Sequence, residues 1–136
     1  MVCIYCGSET AVSNSRHQKR LNNVWRRRTC QQCRATFTTT EKPELQQSLL
    51  VKTASGALPP FNRDKLFISV YTSLGHRKDP TSDATAITST ITAQTLKTAQ
   101  NAVIEVSQLA SIAHQTLSRF DSVAGVHYAA YHPTKQ

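Results

Sequence analysis

The chain has 136 residues, 39% hydrophobic and 7% aromatic, which is enough for one domain or two small ones with cores built mainly from aliphatic side chains. Its formal net charge of +8 favours polyanionic partners such as nucleic acid. No run of 18 apolar residues occurs, which excludes a membrane-spanning helix, and the first residues do not resemble a signal peptide. We therefore expect a cytoplasmic protein without a membrane partner.

The positive charge is concentrated near the N-terminus. Residues 1–40 contain seven Lys/Arg and one acidic residue, a net charge of +6, whereas residues 41–136 have a net charge of only +2. We therefore predict that the first segment contacts a polyanion and that the rest has another role. The predicted domains are residues 1–42 and residues 48–132, and the polar stretch Glu41–Gln47 is the predicted linker.

All four cysteines occur as two Cys-x-x-Cys pairs, Cys3/Cys6 and Cys30/Cys33. Each pair can present two thiolates to one ion, and two pairs complete a tetrahedral site for one zinc ion per chain. The alternatives are a redox pair, two disulfides or iron, and the paired spacing disfavours them. The segment has too few large apolar residues to fold by burial alone, so zinc is expected to supply its folding free energy, on the order of 10 kcal/mol.

Three consecutive arginines, Arg26, Arg27 and Arg28, directly precede the second cysteine pair. If they lie on a strand, Arg26 and Arg28 share one face and Arg27 occupies the other. Arginine binds phosphate oxygens and guanine edges through paired hydrogen bonds, and few acids lie nearby, so we predict a nucleic-acid interface rather than a solvated charged face. Arg16 is predicted on the loop opposite these arginines, together with Lys19 and Arg20. Trp25 is expected to cap the small core of this segment or to stack on a base or sugar, and the first is favoured.

The chain after the linker begins with a predicted hairpin. Aliphatic residues predict a strand over Ser48–Lys52, and a turn over Thr53–Gly56 follows. Ala57–Phe61 is predicted to return along the strand, although its two prolines exclude it from the centre of a sheet. Asn62 is a predicted helix N-cap, with that helix ending at Gly75.

Three further helices are predicted. Ser82 or Asp83 caps the second, Ser107 caps the third, and a short last helix covers Val123–Tyr131. The predicted fold class is therefore α+β, a small β ribbon followed by a β-hairpin with about four helices. The residues expected to face the core are Leu66, Val70, Leu74, Ala84, Ile87, Ile91, Leu109, Ile112, Ala113 and Leu117.

The chain is not predicted to be an enzyme. No nucleophile–base pair is recognisable, and four cysteine ligands leave no open position for a catalytic zinc ion. His114 and Asp121 are the isolated candidates for acid–base chemistry, and both are expected to be ordinary residues on helix surfaces. The five histidines show no metal-ligand spacing.

Two sets of motifs together resemble those of a known family. The first segment contains Cys3-x2-Cys6, Ser15-Arg16, Val24-x-Arg26-Arg27-Arg28-x-Cys30-x2-Cys33 and Phe37-Thr38-Thr39-x-Glu41. The segment after residue 47 contains Val51-Lys52, Gly56, Pro60-Phe61, Asp64-Lys65-Leu66 and Asp121-x-Val123-Ala124-x-Val126. At these motifs the chain resembles the NrdR family of bacterial transcriptional repressors of ribonucleotide reductase genes. The second set is similar to the family's ATP-cone, a β-hairpin and helix module that senses adenine nucleotides.

The resemblance implies a homo-oligomeric, zinc-dependent repressor that binds double-stranded DNA and responds to ATP and dATP. It implies four zinc ligands (Cys3, Cys6, Cys30 and Cys33), and DNA contacts from Arg16, Arg26, Arg27 and Arg28, beside the stacking candidate Trp25. It also implies that Lys52 and Lys65 lie near the nucleotide phosphates and Val51 beside the base pocket.

The chain departs from the family pattern at several of these positions. Thr53 stands where the family has an arginine, Pro59 where it has an acid, Asn14 where it has an aspartate, Trp25 where it has the first arginine of the basic run, and Gly125 where it has a tyrosine. Two alternatives therefore stay open. One is a DNA-binding protein whose cone serves only for oligomerisation, and the other is a zinc-ribbon module that binds RNA.

Overall fold

The computed structural model describes residues 1–133, which form two compact units, Met1–Glu44 and a second unit that begins at Leu45. The first unit is built from strands and the second mainly from helices, which confirms the α+β prediction. No helix within the described residues combines the length and the apolar character needed to cross a lipid bilayer.

The first unit, called the ribbon below, is a three-stranded antiparallel sheet with the arginine-bearing strand in the middle. Its strands are β1 (Thr10–Gln18), β2 (Asn23–Cys30) and β3 (Thr36–Glu41), in the order β1-β2-β3. The sequence did not predict β3, and the linker prediction was wrong at Glu41, which ends this strand. Arg16, predicted on a loop, lies in β1. Four threonines and a phenylalanine give β3 the β-branched and aromatic composition that fits a pleated surface.

The second unit contains a small sheet whose parallel pair was not predicted. Strand β4 (Leu50–Lys52) pairs in parallel with β5 (Val103–Glu105). The predicted return segment lies on the other side of β4. The N–H of Val51 donates to the carbonyl of Pro59 at 2.9 Å, and the N–H of Phe61 donates to the carbonyl of Leu49 at 2.8 Å. The hairpin turn is closed at Gly56, whose φ of +86° is a conformation that glycine adopts without strain.

Within residues 45–133 four helices follow, as predicted, but two begin earlier than expected. The cap at Asn62 is confirmed, because its side chain accepts the N–H of Lys65. The second helix is capped by Asp79, with a proline in its first turn, and the third by Glu105 in a capping box with Gln108. The helices are α1 (Arg63–Ser73), α2 (Pro80–Thr98), α3 (Val106–Phe120) and α4 (Ser122–Tyr131).

One hydrophobic cluster holds these helices on the small sheet. Phe61 and Leu49 are its largest fully buried side chains, and Leu45, in a short 3-10 turn within the predicted linker, packs against it. All the predicted core-facing residues are in this cluster, Leu109 and Ile112 partly buried and the others buried. Burial of such side chains stabilises the unit by about 1.5–3 kcal/mol each.

Threonine is a poor helix former, yet α2 is rich in it. The hydroxyls of buried Thr92 and Thr95 donate to the carbonyls of Thr88 and Ile91, one turn earlier, at 2.7 and 2.8 Å. These bonds satisfy the hydroxyls inside the core, so that the methyl groups can pack while the helix continues.

Asp121 joins three helix ends, and the expectation that it is an ordinary surface residue was wrong. Its side chain is only 14% exposed, and its Oδ1 accepts the N–H of Ala124, which caps α4. Its Oδ2 lies 3.0 Å from Nε2 of His76 and accepts Nη1 of Arg77 at 3.1 Å. The Nε of Arg77 donates in turn to Asp83 in the first turn of α2. These contacts, the Ala124 N–H first and then His76, lower the pKa of the Asp121 carboxyl well below its usual range.

Asp121→Ala is therefore expected to lower the melting temperature of the second unit by several degrees at pH 7, and Asp121→Asn by less, because asparagine is also a good cap. The folded-state pKa of Asp121 is depressed. The stabilisation by its charge is thus present above the unfolded pKa of about 3.9 and is lost as the pH falls below that value. Melting curves from pH 7 to pH 3 should show the difference between the unaltered protein and Asp121→Asn shrinking. A constant difference would contradict this account.

Candidate metal centre and nucleic-acid interface

The four cysteine sulfurs lie together at one end of the ribbon. Sγ of Cys3 is 3.7 Å from Sγ of Cys33, Sγ of Cys6 is 3.5 Å from Sγ of Cys30, and all four lie within 4.8 Å of one another. None of the four is in a disulfide. Four sulfurs each about 2.3 Å from a central zinc ion occupy tetrahedral corners about 3.8 Å apart. The observed spacing therefore fits one zinc ion.

In each Cys-x-x-Cys turn a backbone N–H points at the sulfur of the first cysteine. The N–H of Tyr5 lies 3.4 Å from Sγ of Cys3, and the N–H of Cys33 lies 3.5 Å from Sγ of Cys30. Each cysteine pair is followed by a residue with positive φ: Gly7 at +76° and Arg34 at +62°. A positive φ is unusual for arginine, which indicates that the turn geometry overrides local preference there.

The surroundings of the cysteines shift the pKa values of three of them in different directions. The Tyr5 N–H lowers the pKa of Cys3, and the hydroxyl and N–H of Ser8 lower the pKa of Cys6 to about 6. The N–H of Ala35 also favours the thiolate of Cys33, but burial and the neighbouring sulfurs outweigh it and raise the pKa of Cys33 to about 12. Thiolates only 3.5–3.7 Å apart repel one another, and a divalent metal ion bound between them would offset this repulsion.

The ribbon sheet carries its basic residues on two different faces, as the alternation of the arginines predicted. In the strand register, Arg16 lies opposite Trp25, Trp25 opposite Thr40, and Arg27 opposite Thr38. These side chains share one side of the sheet, called the Arg27 face. The opposite side, called the Arg26 face, is defined by the pairs Arg26 with Thr39, Arg26 with Ser15 and Arg28 with Phe37.

The exposed guanidinium of Arg27 is held by two hydroxyl groups of β3. Its Nη1 donates to Oγ1 of Thr38 at 3.1 Å and its Nη2 donates to Oγ1 of Thr36 at 2.9 Å. Thr36 and Thr38 were not among the site residues predicted from the sequence. A sequence pattern could have identified them. Threonines at positions 36, 38 and 40 alternate with the two-residue period of a strand, which places them on one face.

The Arg26 face has a different environment. Arg26 donates to Oγ of Ser15 at 2.9 Å and lies 3.8 Å from a carboxylate oxygen of Glu41, and Nε of Arg28 donates to Oγ1 of Thr39 at 3.2 Å. The positive charge of Arg26 is thus partly compensated within the ribbon.

Trp25 does not belong to the ribbon core, and the interpretation that it caps that core was wrong. The core consists of Cys3, Cys30 and Phe37, with Ala35 packed against them. Trp25 instead lies half-buried on the Arg27 face, and the guanidinium carbon of Arg16 is 6.0 Å from its ring centroid. This distance is the outer limit of a cation–π contact, which leaves the ring available on the same surface as the arginines.

The three candidate nucleotide residues have separate environments in the second unit. Val51 is half-buried against the core, and Lys65 is exposed in the first turn of α1. Nζ of Lys52 lies 3.3 Å from Oε1 of Glu105, at the rim of an open groove of about 530 Å³. The groove is lined by Lys52, Leu58, Thr98, Gln100, Asn101, Val103, Glu105 and Gln108, and includes neither Val51 nor Lys65.

A four-cysteine centre at the end of a three-stranded antiparallel sheet defines the first unit as a zinc ribbon. Residues 1–41 match the family described as "Transcriptional repressor NrdR-like, N-terminal domain". A Sphingopyxis alaskensis protein named "Transcriptional repressor NrdR" is 35% identical over 133 residues, covering 96% of this chain and 83% of the relative. Relatives of the same name from Phenylobacterium zucineum and Brucella ovis are each 34% identical over 131 residues, covering 96% of this chain and 83% and 82% of theirs. The chain belongs to the NrdR family.

Proposed function

We propose that this protein is a zinc-dependent transcriptional repressor that binds double-stranded DNA through its ribbon and acts on ribonucleotide reductase genes in the cytoplasm. The observation that carries the proposal is the Arg27 face, where an exposed guanidinium, a second arginine and an indole ring share one side of a metal-stabilised sheet. The names of the relatives support the repressor role.

The chemistry of this face suits a nucleic acid. Arginine makes paired hydrogen bonds to phosphate and to guanine, and an aromatic ring on the same surface can stack on a sugar or base. Binding that depends on such cations releases counterions from DNA, so the logarithm of the affinity should fall linearly with the logarithm of the salt concentration. Affinity that does not depend on salt would contradict the electrostatic part of the proposal, and preference for structured RNA at matched salt would favour the RNA-binding alternative.

Arg27→Ala is expected to weaken DNA binding tenfold or more, because a charged hydrogen bond contributes about 1.5–3 kcal/mol and tenfold corresponds to about 1.4 kcal/mol. The salt slope should fall by about 1 if Arg27 contacts a phosphate. Fluorescence anisotropy with promoter DNA upstream of reductase genes measures both quantities. Lys97→Ala, which removes an exposed charge from α2 of the other unit, is the control and should leave the affinity unchanged.

The proposal includes regulation by ATP and dATP in the second unit and assembly of the chain into homo-oligomers. Lys52 and Lys65 are the proposed phosphate contacts and Val51 the proposed neighbour of the base, as the resemblance to the ATP-cone implies. Native mass spectrometry with and without each nucleotide tests this part, through retained nucleotide and a changed number of subunits.

A second candidate is a DNA-binding protein whose second unit only assembles the chain. It is favoured by the contact between Lys52 and Glu105, which already neutralises one proposed phosphate ligand, and by the presence of Thr53 and Pro59 at positions where the family pattern has charged residues. Calorimetric titration with ATP and dATP at sub-millimolar concentrations separates the candidates. Saturable binding would exclude the second one.

A further inference from the structure

We propose that Thr36 and Thr38 are positioning residues that hold the guanidinium of Arg27 in the orientation in which it contacts a DNA phosphate. This inference rests on the proposed function. It adds to that function a pair of residues outside the basic run.

The hydrogen bonds fix the orientation of the Arg27 fork. Thr38 is directly opposite Arg27 in the sheet register and Thr36 is two residues earlier on the same face, so the two hydroxyls hold the two terminal nitrogens from the same strand. A guanidinium has five N–H groups, so after these two bonds about three remain for a ligand. The side chain is exposed, so those remaining groups are accessible from solvent.

The partners of Arg27 orient it without compensating its charge. Threonine hydroxyls are neutral, so the full positive charge of Arg27 remains for an anion. Arg26 on the opposite face is different, because the carboxylate of Glu41 lies 3.8 Å from its Nη2. An anion that approaches Arg26 must compete with that carboxylate, whereas one that approaches Arg27 does not displace Thr36 or Thr38.

Pre-orientation matters because arginine is long and flexible. Immobilising such a side chain on binding has an entropic cost that corresponds to about a three- to tenfold change in Kd. Hydrogen bonds that restrict it in the free protein remove part of this cost before DNA arrives. Their loss should therefore weaken binding while the number of charges that face the DNA stays the same.

The test is the double variant Thr36→Val/Thr38→Val in the full-length, zinc-loaded protein. Valine has nearly the same shape and favours strands, so the sheet should be kept while the hydroxyls are removed. Thr90→Val is the control, since Thr90 is an exposed threonine of α2 in the second unit and is not part of the proposed DNA-binding surface. Zinc content and melting temperature should be the same in the unaltered protein and both variants.

We expect the double variant to bind DNA three- to tenfold more weakly with an unchanged salt slope, and Thr90→Val to bind like the unaltered protein. In an Arg27→Ala background the two valines should have no further effect. A second readout needs no DNA: the ¹⁵N relaxation of Arg27 Nε should show greater mobility in the double variant, with Arg28 Nε unchanged.

Unchanged affinity or unchanged Arg27 mobility would overturn the positioning role. An equal loss of affinity in the Arg27→Ala background would also overturn it, because the threonines would then act independently of Arg27. Failure of the unaltered protein to bind DNA, with Arg27 mobility responding as expected, would instead overturn the proposed function and with it the phosphate contact.

Discussion

Replacing Cys30 with serine is expected to abolish zinc binding and to unfold the ribbon. Cys30 is completely buried, and its sulfur lies 3.5 Å from that of Cys6 in the four-sulfur cluster. The ribbon core contains only three buried residues, two of them cysteines, so burial alone cannot offset the entropy of ordering more than forty residues. Zinc binding supplies about 10–16 kcal/mol in small zinc domains, more than the stability of many whole domains.

Native mass spectrometry should find one zinc ion per chain in the unaltered protein and none in Cys30→Ser. Gln32→Ser is the matched control, because Gln32 lies in the same turn, is exposed and offers no metal ligand. The second unit has a core of its own and should keep its cooperative melting transition in Cys30→Ser. A Cys30→Ser protein that retains its zinc ion and its ribbon structure would contradict the four-cysteine site.

Gly125→Tyr, which introduces the residue that the family pattern has at this position, is expected to be severely destabilising in this chain. A Cβ atom at Gly125 would lie 2.2 Å from Oγ and 2.9 Å from Cα of Ser118, because α4 passes α3 at backbone contact there. Even Gly125→Ala should lose about 1–3 kcal/mol through this overpacking, which exceeds the roughly 1 kcal/mol that alanine gains in a helix. Tyrosine requires the helices to separate, so its cost should exceed that of alanine.

Urea denaturation of the two variants measures these differences. Val126→Ala, at the next position on the exposed side of α4, is the control and should change the stability by less than about 0.5 kcal/mol. Combining Gly125→Ala with Ser118→Ala should recover part of the lost stability, since the shortest contact is to the serine hydroxyl. Equal stability of Gly125→Ala and the unaltered protein would show that the helices have room to adjust.

Much of the fold could be predicted from local sequence signals. The side chain of Asn62 caps α1 as predicted, and the spacing of Leu66, Val70 and Leu74 identified the buried face of that helix, because capping and helical periodicity depend only on neighbouring residues. The starts of α2 and α3 were misplaced because several capping residues compete within one turn there. Asp79 with the following proline, and Glu105 with Gln108, cap these helices instead of Ser82 and Ser107.

The metal centre was also predictable, whereas the environment of the basic residues was not. The cysteine spacing was enough to identify the ligand set, since two Cys-x-x-Cys turns can present four thiolates to one ion. Strand alternation was enough to place Arg27 on the face opposite Arg26 and Arg28. The pairing of β3 with β2 is visible only in the folded protein. This pairing gives Arg27 its threonine partners, places Glu41 beside Arg26 and leaves Trp25 outside the core. The parallel pairing of β4 with β5 and the contacts of Asp121 are likewise visible only in the folded protein. The physical reason is that spacing and capping act over a few residues, whereas strand partners and ion pairs depend on where distant segments meet when the core packs.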